Sequence, residues 1–212
     1  TTIDAKLQRY AYESLRTQLA ALASQKANAG AALVLNNETG EVLAYVANSG
    51  LVEDSVWVDG VQAQRQAGST LKPFLYGLAI EKNRLTAASV IDDAPINIST
   101  PLGSYVPQNY EHDFKGAVTV RTALASSLNV PAVLTLGKVG VEPFWQLLND
   151  VGFNLQEQAD YYGNALALGG ADITVWQLAN AYRSLANGGV WRDVRLIGKD
   201  FSLPSFTEKR IL

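Results

Sequence analysis

The apolar positions near the front of the chain recur at three- and four-residue steps, the spacing of one face of a helix. This pattern predicts a helix over residues 4–28, ended by Gly30. The apolar residues on that face are Leu7, Tyr10, Ala11, Leu15, Leu19 and Leu22. The same spacing predicts further helices over residues 70–83, 142–150 and 174–187, the last capped by Thr174.

Two short apolar runs follow the first helix and are separated by a turn-forming segment. Residues 31–35 and 41–46 are rich in Ala, Leu and Val, and residues 36–40 read Asn-Asn-Glu-Thr-Gly. Two β-prone runs joined by a Gly-containing loop predict an antiparallel hairpin over residues 31–47. Because a two-stranded sheet alone is marginally stable in water, we expect other strands to complete it.

The rest of the pattern is less regular. Residues 51–68 are polar and irregular, and Pro and Gly residues punctuate residues 86–117, which predicts a long loop. Residues 118–138 predict two short helices with a break near Asn129-Val130-Pro131, because the residue before a proline avoids the helical region. Asp92-Asp93 is interpreted as a solvated turn.

Composition and charge exclude several classes of function. The chain has 212 residues, a formal net charge of −3, scattered Lys and Arg residues and no cysteine. We therefore expect no nucleic-acid partner, no disulfide and no Cys-ligated metal. The single histidine, His112, argues against most zinc sites and weakens a Ser-His-Asp interpretation. No apolar stretch approaches the roughly 20 residues of a membrane span. We interpret the chain, which lacks an initiator Met, as a portion of a longer protein.

A candidate nucleophile lies in the segment 65–74. Gly68 permits a tight turn, Ser69 is a favoured N-cap residue and Pro73 is tolerated in a first helical turn, so we expect a helix to begin at or near Ser69. Lys72 lies one turn further along the same face, where its amine can reach the Ser69 hydroxyl. A serine needs a base to remove its proton, and a lysine with a lowered pKa can be that base. A capping serine beside a solvated lysine is the alternative.

A second motif, Ser127-Leu128-Asn129, lies at the predicted helix break. At such a break, polar side chains can point into a cleft instead of continuing a helix. The Ser127 hydroxyl could relay a proton, and the Asn129 amide could hold the lysine and a substrate carbonyl. The alternative is that both side chains only cap and terminate helices.

Together with their neighbouring segments, the two motifs resemble the transpeptidase domain of class A, bifunctional penicillin-binding proteins. A Ser-x-x-Lys motif followed by a Ser-x-Asn motif is known from these proteins and from class A β-lactamases. The similarity runs in order along nearly the whole chain, and the residues of the similar segments suggest the 1C subtype. The segments that carry it are residues 1–8, 39–44, 65–74, 107–132, 167–170 and 178–189.

The resemblance implies a fold and a chemistry. The fold is α+β, with a five-stranded antiparallel sheet flanked by helices beside a helical lobe. Residues 31–47 would supply two strands, and residues 69–189 would supply most of the helical part, with the active serine. The function implied is that of a peptidoglycan D,D-transpeptidase, a serine acyl-transferase that cross-links peptide stems and reacts covalently with β-lactams.

The resemblance also implies roles for individual residues. Ser69 would form the acyl-enzyme after attacking a D-Ala-D-Ala peptide or a β-lactam. Lys72 would be the general base, Ser127 would shuttle the proton, and Asn129 would position Lys72 and the substrate.

Partners and location are implied in the same way. Asn109 and Tyr110 are the predicted substrate-binding residues, and peptidoglycan stem peptides and β-lactams are the predicted ligands. No cofactor or metal is expected. An upstream glycosyltransferase and a membrane anchor outside these residues would place the domain at the periplasmic face of the bacterial inner membrane.

The sequence departs from the family pattern at two points. Ala67 stands where many relatives carry proline, and no Lys-Thr-Gly occurs in the 212 residues. In the family, the Lys-Thr-Gly strand lines the cleft and adds a backbone N–H to that of Ser69 in the oxyanion hole, where one donor is worth about 10²–10³ in rate. We therefore expect residues 1–212 to be the N-terminal portion of one transpeptidase domain, with an incomplete sheet, that needs a second polypeptide to be active.

Three alternatives stay open at this point. A β-lactam sensor and a non-catalytic scaffold would share the fold. A class A β-lactamase would need a Glu-x-x-Leu-Asn pattern for deacylation. Leu148-Asn149 is present, but Trp145 occupies the position of the acid, and Glu142 lies too far back.

Overall fold

The computed structural model describes residues 1–27, 29–48, 57–100, 103–197 and 208–210, and it has an α+β fold. The helices are α1 (Ala5–Ala21), α2 (Lys72–Glu81), α3 (Val120–Ala125), α4 (Asn129–Val139), α5 (Val141–Asp150), α6 (Ala159–Tyr162) and α7 (Val175–Ala186). The strands are β1 (Ala32–Leu35), β2 (Val42–Val46), β3 (Arg65–Gln66), β4 (Val90–Asp93), β5 (Ile98–Thr100), β6 (Gly103–Tyr105), β7 (Gly116–Thr119), β8 (Asp172–Ile173), β9 (Val190–Arg192) and β10 (Glu208–Arg210). Short 3₁₀ turns cover Ala23–Gln25, Gly68–Leu71 and Gly163–Leu168.

The chain forms two compact units. The first comprises residues 1–65, 151–153 and 173–212, and the second comprises residues 66–150 and 154–172. Ser69, Lys72, Ser127 and Asn129 all belong to the second unit. No helix in the described part of the chain has both the length and the apolar character needed to cross a membrane. Residues 51–56 of the predicted irregular stretch lie outside the described residues.

The first unit is built on the β1–β2 hairpin, which confirms the predicted strand pair. The strands are antiparallel, with Ala32 opposite Val46 and Leu35 opposite Val42. Alternate residues of β2 are buried, as expected for a strand with one face in a core. Helix α1 is capped by the Asp4 carboxylate, and α7 is capped by Thr174 as predicted, with a reciprocal bond from Gln177 that completes a capping box.

The core of the second unit is helical. Helices α2, α4 and α5 pack against one another and against the 3₁₀ turn Gly163–Leu168. The apolar side chains buried between them include Phe74, Leu75, Leu136, Phe144, Leu148 and Leu166. This core fixes the start of α2 relative to the start of α4, and those two helix starts carry the candidate site residues.

The predicted loop over residues 86–117 contains strands, so that prediction is wrong. Strand β4 pairs with β7 in antiparallel register, from Val90 opposite Thr119 to Asp93 opposite Gly116, and β5 pairs with β6. The side chains of β4 alternate between exposed and buried positions, but one of the two buried positions is Asp93. A carboxylate at an inward position hides the apolar alternation by which a strand is normally recognised.

The break between α3 and α4 lies earlier than predicted. It falls at residues 126–128, and Pro131 lies within the first turn of α4. A proline is tolerated there because the first N–H groups of a helix have no partner within the helix. The steric preference of the residue before a proline did not exclude Val130 from the helix, so the sequence argument placed the break too late.

Candidate active site

The turn that carries Ser69 is held by backbone contacts with a second glycine-rich segment. Gly68 has a φ of +57°, and its N–H donates to the carbonyl of Gly169 at 3.1 Å. The N–H of Ala67 donates to the carbonyl of Ala171 at 2.9 Å. A Cβ at Gly169, where φ is +75°, would lie 1.9 Å from the Gly68 oxygen. Only glycine allows so close an approach.

Ser69 does not cap a helix, which corrects the sequence prediction. It lies in the 3₁₀ turn Gly68–Leu71, and the α-helix begins at Lys72 with Leu71 at its N-cap position. No side chain caps either element. The Ser69 side chain is exposed and lines a cavity of about 600 Å³. The hydroxyl group therefore faces the space that a reacting molecule would occupy.

The amine of Lys72 is buried, although its side chain begins at the same turn. Lys72 is 1% exposed. Its Nζ donates to the Ser127 carbonyl at 2.6 Å, to Asn129 Oδ1 at 2.7 Å and to Ser127 Oγ at 3.2 Å. An ammonium group has three N–H donors, so these three acceptors saturate it. Burial lowers the pKa of Lys72 to about 8 because the charged form loses its hydration.

Ser127 lies in the link between α3 and α4 and has an unusual backbone conformation. Its φ of +53° is in the left-handed region, which costs a non-glycine residue roughly 1–3 kcal/mol. Its N–H donates to the Leu124 carbonyl at 3.0 Å and ends α3. In this conformation, both its carbonyl and its hydroxyl oxygen lie within hydrogen-bond distance of the Lys72 amine.

Asn129 is the first residue of α4, and its side-chain amide has a fixed orientation. Its Nδ2 donates to the Gln108 carbonyl at 2.8 Å, and its Oδ1 accepts from Lys72 at 2.7 Å. Since the amide nitrogen only donates and the amide oxygen only accepts, this pair of partners selects one orientation. The backbone N–H of Asn129 donates to Asn109 Oδ1 at 2.8 Å.

The two predicted substrate-binding residues have very different environments. Asn109 is 4% exposed, and its Nδ2 donates to both carboxylate oxygens of Asp93 and to the Asp113 carbonyl, each at 2.9 Å. Its polar atoms are thus all engaged by the protein, and direct substrate binding by Asn109 stays a prediction. Tyr110 is 95% exposed and lines the cavity.

The cavity combines the motif residues with a charged rim. Its lining residues are Ser69, Asn109, Tyr110, Glu111, Asp113, Lys115, Ser126, Ser127, Leu128 and Asn129. On the rim, the Lys115 amine lies 2.6 Å from Asp113 and 4.0 Å from Glu111, in exposed ion pairs of little energetic weight. The cavity is not lined by Glu142 or Asn149, the residues nearest to a β-lactamase deacylation motif in the sequence.

Two residues that contact the surroundings of the site were not singled out from the sequence. Asp93, interpreted as part of a solvated turn, is fully buried, whereas Asp92 beside it is exposed. Gly169 lies in a segment whose similarity to the family was noted without a role. Both contact residues distant in sequence, Asp93 contacting Asn109 and Gly169 contacting Gly68, so no local motif marks them.

Comparison with known proteins shows to which family the sequence is similar. Residues 30–210 match the family described as the penicillin binding protein transpeptidase domain. The chain belongs to this family. The predicted resemblance is therefore confirmed. The penicillin-binding proteins it is similar to include 1F of Bacillus subtilis (strain 168), 33% identical over 90% of this chain, and 1C of Escherichia coli (strain K12), 34% identical over 92% of this chain.

A solved penicillin-binding protein confirms the fold. The 2.6 Å crystal structure of penicillin-binding protein 1A from Haemophilus influenzae superposes on 81% of this chain with a TM-score of 0.71 and 32% identity. The chain spans only 26% of the 1F relative, 25% of the 1C relative and 25% of the 1A structure. Identities of 33% and 34% to 1F and 1C do not separate the subtypes, so assignment to 1C stays a prediction.

Proposed function

We propose that this chain carries the acylation centre of a peptidoglycan D,D-transpeptidase, with Ser69 as the nucleophile and Lys72 as its general base. The observation that supports this best is the Lys72 amine, which is buried, held by Ser127 and Asn129, and placed one turn after an exposed serine. With a pKa of about 8, about one amine in ten is neutral at pH 7, whereas an amine of pKa 10.5 is neutral in fewer than about one molecule in a thousand.

The proposed reaction has two halves. Neutral Lys72 removes the Ser69 proton while Oγ attacks the carbonyl carbon of a D-Ala-D-Ala peptide bond or a β-lactam. The C–N bond breaks, the leaving nitrogen receives the proton through the Ser127 hydroxyl, and an ester links the acyl group to Ser69. In cross-linking, an amine of a second peptide stem then attacks this ester and loses its proton, and Ser69 Oγ regains one.

The arrangement of the donors gives Asn129 and Ser127 distinct tasks in this scheme. Asn129 Oδ1 holds the amine in place. One N–H of its Nδ2 group donates to the Gln108 carbonyl, and the second N–H can donate to a substrate carbonyl. Ser127 contacts the amine through both its carbonyl and its hydroxyl oxygen, so the hydroxyl can pass a proton while the carbonyl keeps the amine in place.

Partners and location follow from membership of the family. We propose peptidoglycan stem peptides and β-lactams as ligands, and the periplasmic face of the inner membrane as the place of action. The names of the similar proteins, which describe them as penicillin-binding, support β-lactams as ligands.

The deciding experiment is covalent labelling. The complete polypeptide that carries this sequence is incubated with a labelled penicillin, and intact mass and peptide mapping follow for the wild type, Ser69→Ala and the neighbouring control Ser126→Ala. We expect one stable adduct on the Ser69 peptide, lost only in Ser69→Ala. An adduct on another residue, or none in the wild type, would overturn the proposal. An adduct that turns over within seconds would indicate a hydrolase.

A further inference from the structure

A buried carboxylate lies behind the site and takes no part in the proposed reaction. Asp93 ends strand β4 and is 0% exposed. Its oxygens accept both contacts from Asn109 Nδ2 and a third from the backbone N–H of Lys115, all at 2.9 Å. Among the described residues, Asp93 forms no ion pair. Carboxylates are rarely buried without a partner, so these neutral N–H donors must keep Asp93 in place.

The partner of Asp93 leads directly to the catalytic motif. Asn109 Oδ1 accepts from the backbone N–H of Asn129 at 2.8 Å and from that of Val130 at 3.5 Å. These N–H groups belong to the first turn of α4, where a helix supplies no acceptor of its own. The Asn109 side chain therefore serves as the missing cap, because no side chain caps α4 from its own N-cap residue.

The chain of contacts ends at the base. Asn129, held by its backbone, presents Oδ1 to the Lys72 amine at 2.7 Å. The contacts thus run from the core to the amine through the side chains of Asp93 and Asn109, the backbone N–H of Asn129, and the Asn129 side chain that meets Lys72. In each link a donor faces an acceptor, and Asn109 keeps this orientation because both oxygens of Asp93 and the Asp113 carbonyl accept from its Nδ2.

We propose that Asp93, acting through Asn109, is a positioning residue for Lys72. The Asp93 side chain fixes the Asn109 amide, the amide fixes the first turn of α4, and that turn holds the acceptor that keeps the amine buried beside Ser127. The inference rests on the proposed function in treating Lys72 as the base, but the placement of the amine can be measured without any reaction at Ser69.

Exchange of the two side chains tests this chain of contacts. Asp93→Asn directs an amide N–H at the Asn109 amide N–H, and Asn109→Asp places two carboxylates against each other, so each single variant breaks the link. In the double variant Asp93→Asn/Asn109→Asp, the new amide donates to the new carboxylate, which still accepts from Asn129. Two contacts of the Asn109 nitrogen, with one oxygen at position 93 and with the Asp113 carbonyl, become oxygen–oxygen contacts in this variant, so we expect partial recovery. Asp92→Asn, on the exposed face of the same strand, is the matched control.

The first measurement is the rate at which acetic anhydride modifies Lys72 at pH 8, by peptide mass spectrometry, with exposed Lys82 as the internal reference. We expect about a tenfold faster modification in each single variant, a slower modification in the double variant than in either single variant, and no change in Asp92→Asn. The second is the rate constant for penicillin acylation per active molecule, expected to fall about 10²-fold in the single variants and to recover in part in the double variant.

A purely structural role for Asp93 gives a different result. It would lower the melting temperature and the number of active molecules, but leave Lys72 modification and the rate constant of the folded molecules unchanged, and this would overturn the inference. A double variant as impaired as the single variants would also overturn it. If the wild type forms no Ser69 adduct, the proposed function fails, and Lys72 modification still decides whether Asp93 positions the amine.

Discussion

The proposed nucleophile, Ser69, and the proposed base, Lys72, lie three residues apart but are held in place by different means. Ser69 is exposed, and its turn is fixed by backbone bonds and by the close approach of Gly169 to Gly68. Lys72 is buried, and its amine is fixed by side-chain and carbonyl oxygens of Ser127 and Asn129.

The difference follows from what each group must do. A nucleophile has to meet an incoming carbonyl, so its hydroxyl has to face the cavity, and only the backbone can hold it without using the hydroxyl itself. A base has to lose its charge near neutral pH, so it has to be buried, and its donors then need partners. Removing parts of the two arrangements should therefore have different effects.

The largest effect is expected from removing the amine. Lys72→Met keeps a side chain of similar length and eliminates the base, so the acylation rate with labelled penicillin should fall by about 10²–10⁴-fold, the usual contribution of a general base. The matched control is Lys82→Met, at the exposed end of the same helix, which should acylate like the wild type. A Lys72→Met protein that acylates at a near-normal rate would exclude Lys72 as the base.

The next largest effect is expected on the nucleophile side. Gly169→Ala would place a Cβ 1.9 Å from the Gly68 oxygen, and the φ of +75° disfavours any side chain. The turn must shift, and a displacement of about 1 Å at a reacting group costs on the order of 10²-fold in rate. Gly137→Ala, in α4 with nothing within 4 Å, is the control and should keep its rate. Unchanged acylation in Gly169→Ala would show that this contact does not position Ser69.

The candidate site residues that could be predicted from the sequence are those that lie close together along the chain. Ser69 and Lys72 are related by one helical turn, and Ser127 and Asn129 by a single intervening residue, so motif spacing made all four candidates and the resemblance to the family selected them. The structure brings the Lys72 amine into contact with Ser127 and Asn129, as the resemblance implied. Their catalytic roles stay predictions until the labelling experiment is done.

The supporting contacts could not be predicted because they depend on tertiary pairing. Asp93 is buried only because β4 pairs with β7 and α4 packs on β4. The left-handed conformation of Ser127 has no signal in the sequence, since glycine is the residue that normally marks a positive φ. The prediction that Ser69 caps a helix failed because the chain forms a 3₁₀ turn before α2, and that turn exposes the hydroxyl.

A smaller effect should separate the two neighbouring serines. In Ser127→Ala the amine loses one of its three acceptors but keeps the Ser127 carbonyl and Asn129 Oδ1, so the fold of the site should persist and acylation should slow by about tenfold through loss of the proton relay. Ser126→Ala removes a hydroxyl that lines the same cavity without contacting the amine. Equal rates in the two variants would assign no special role to Ser127.

The mildest test changes only the pH. Because burial lowers the pKa of Lys72 to about 8, the neutral and active fraction should rise about fivefold between pH 7 and pH 8 and level off by pH 9, whereas an amine with a pKa of 10.5 would keep gaining tenfold per unit. The same lowered pKa means that the folded state binds this proton less tightly than the unfolded chain. Lys72 should therefore reduce the free energy of unfolding at pH values below about 8, and this cost should vanish as the pH rises through 10.5.

The acylation rate constant of the wild type, measured from pH 6 to pH 9 and corrected for spontaneous β-lactam hydrolysis, checks the predicted rise and levelling of the rate. A rate that still climbs tenfold between pH 8 and pH 9 would mean that the buried amine keeps its ordinary pKa, and that burial does not activate it.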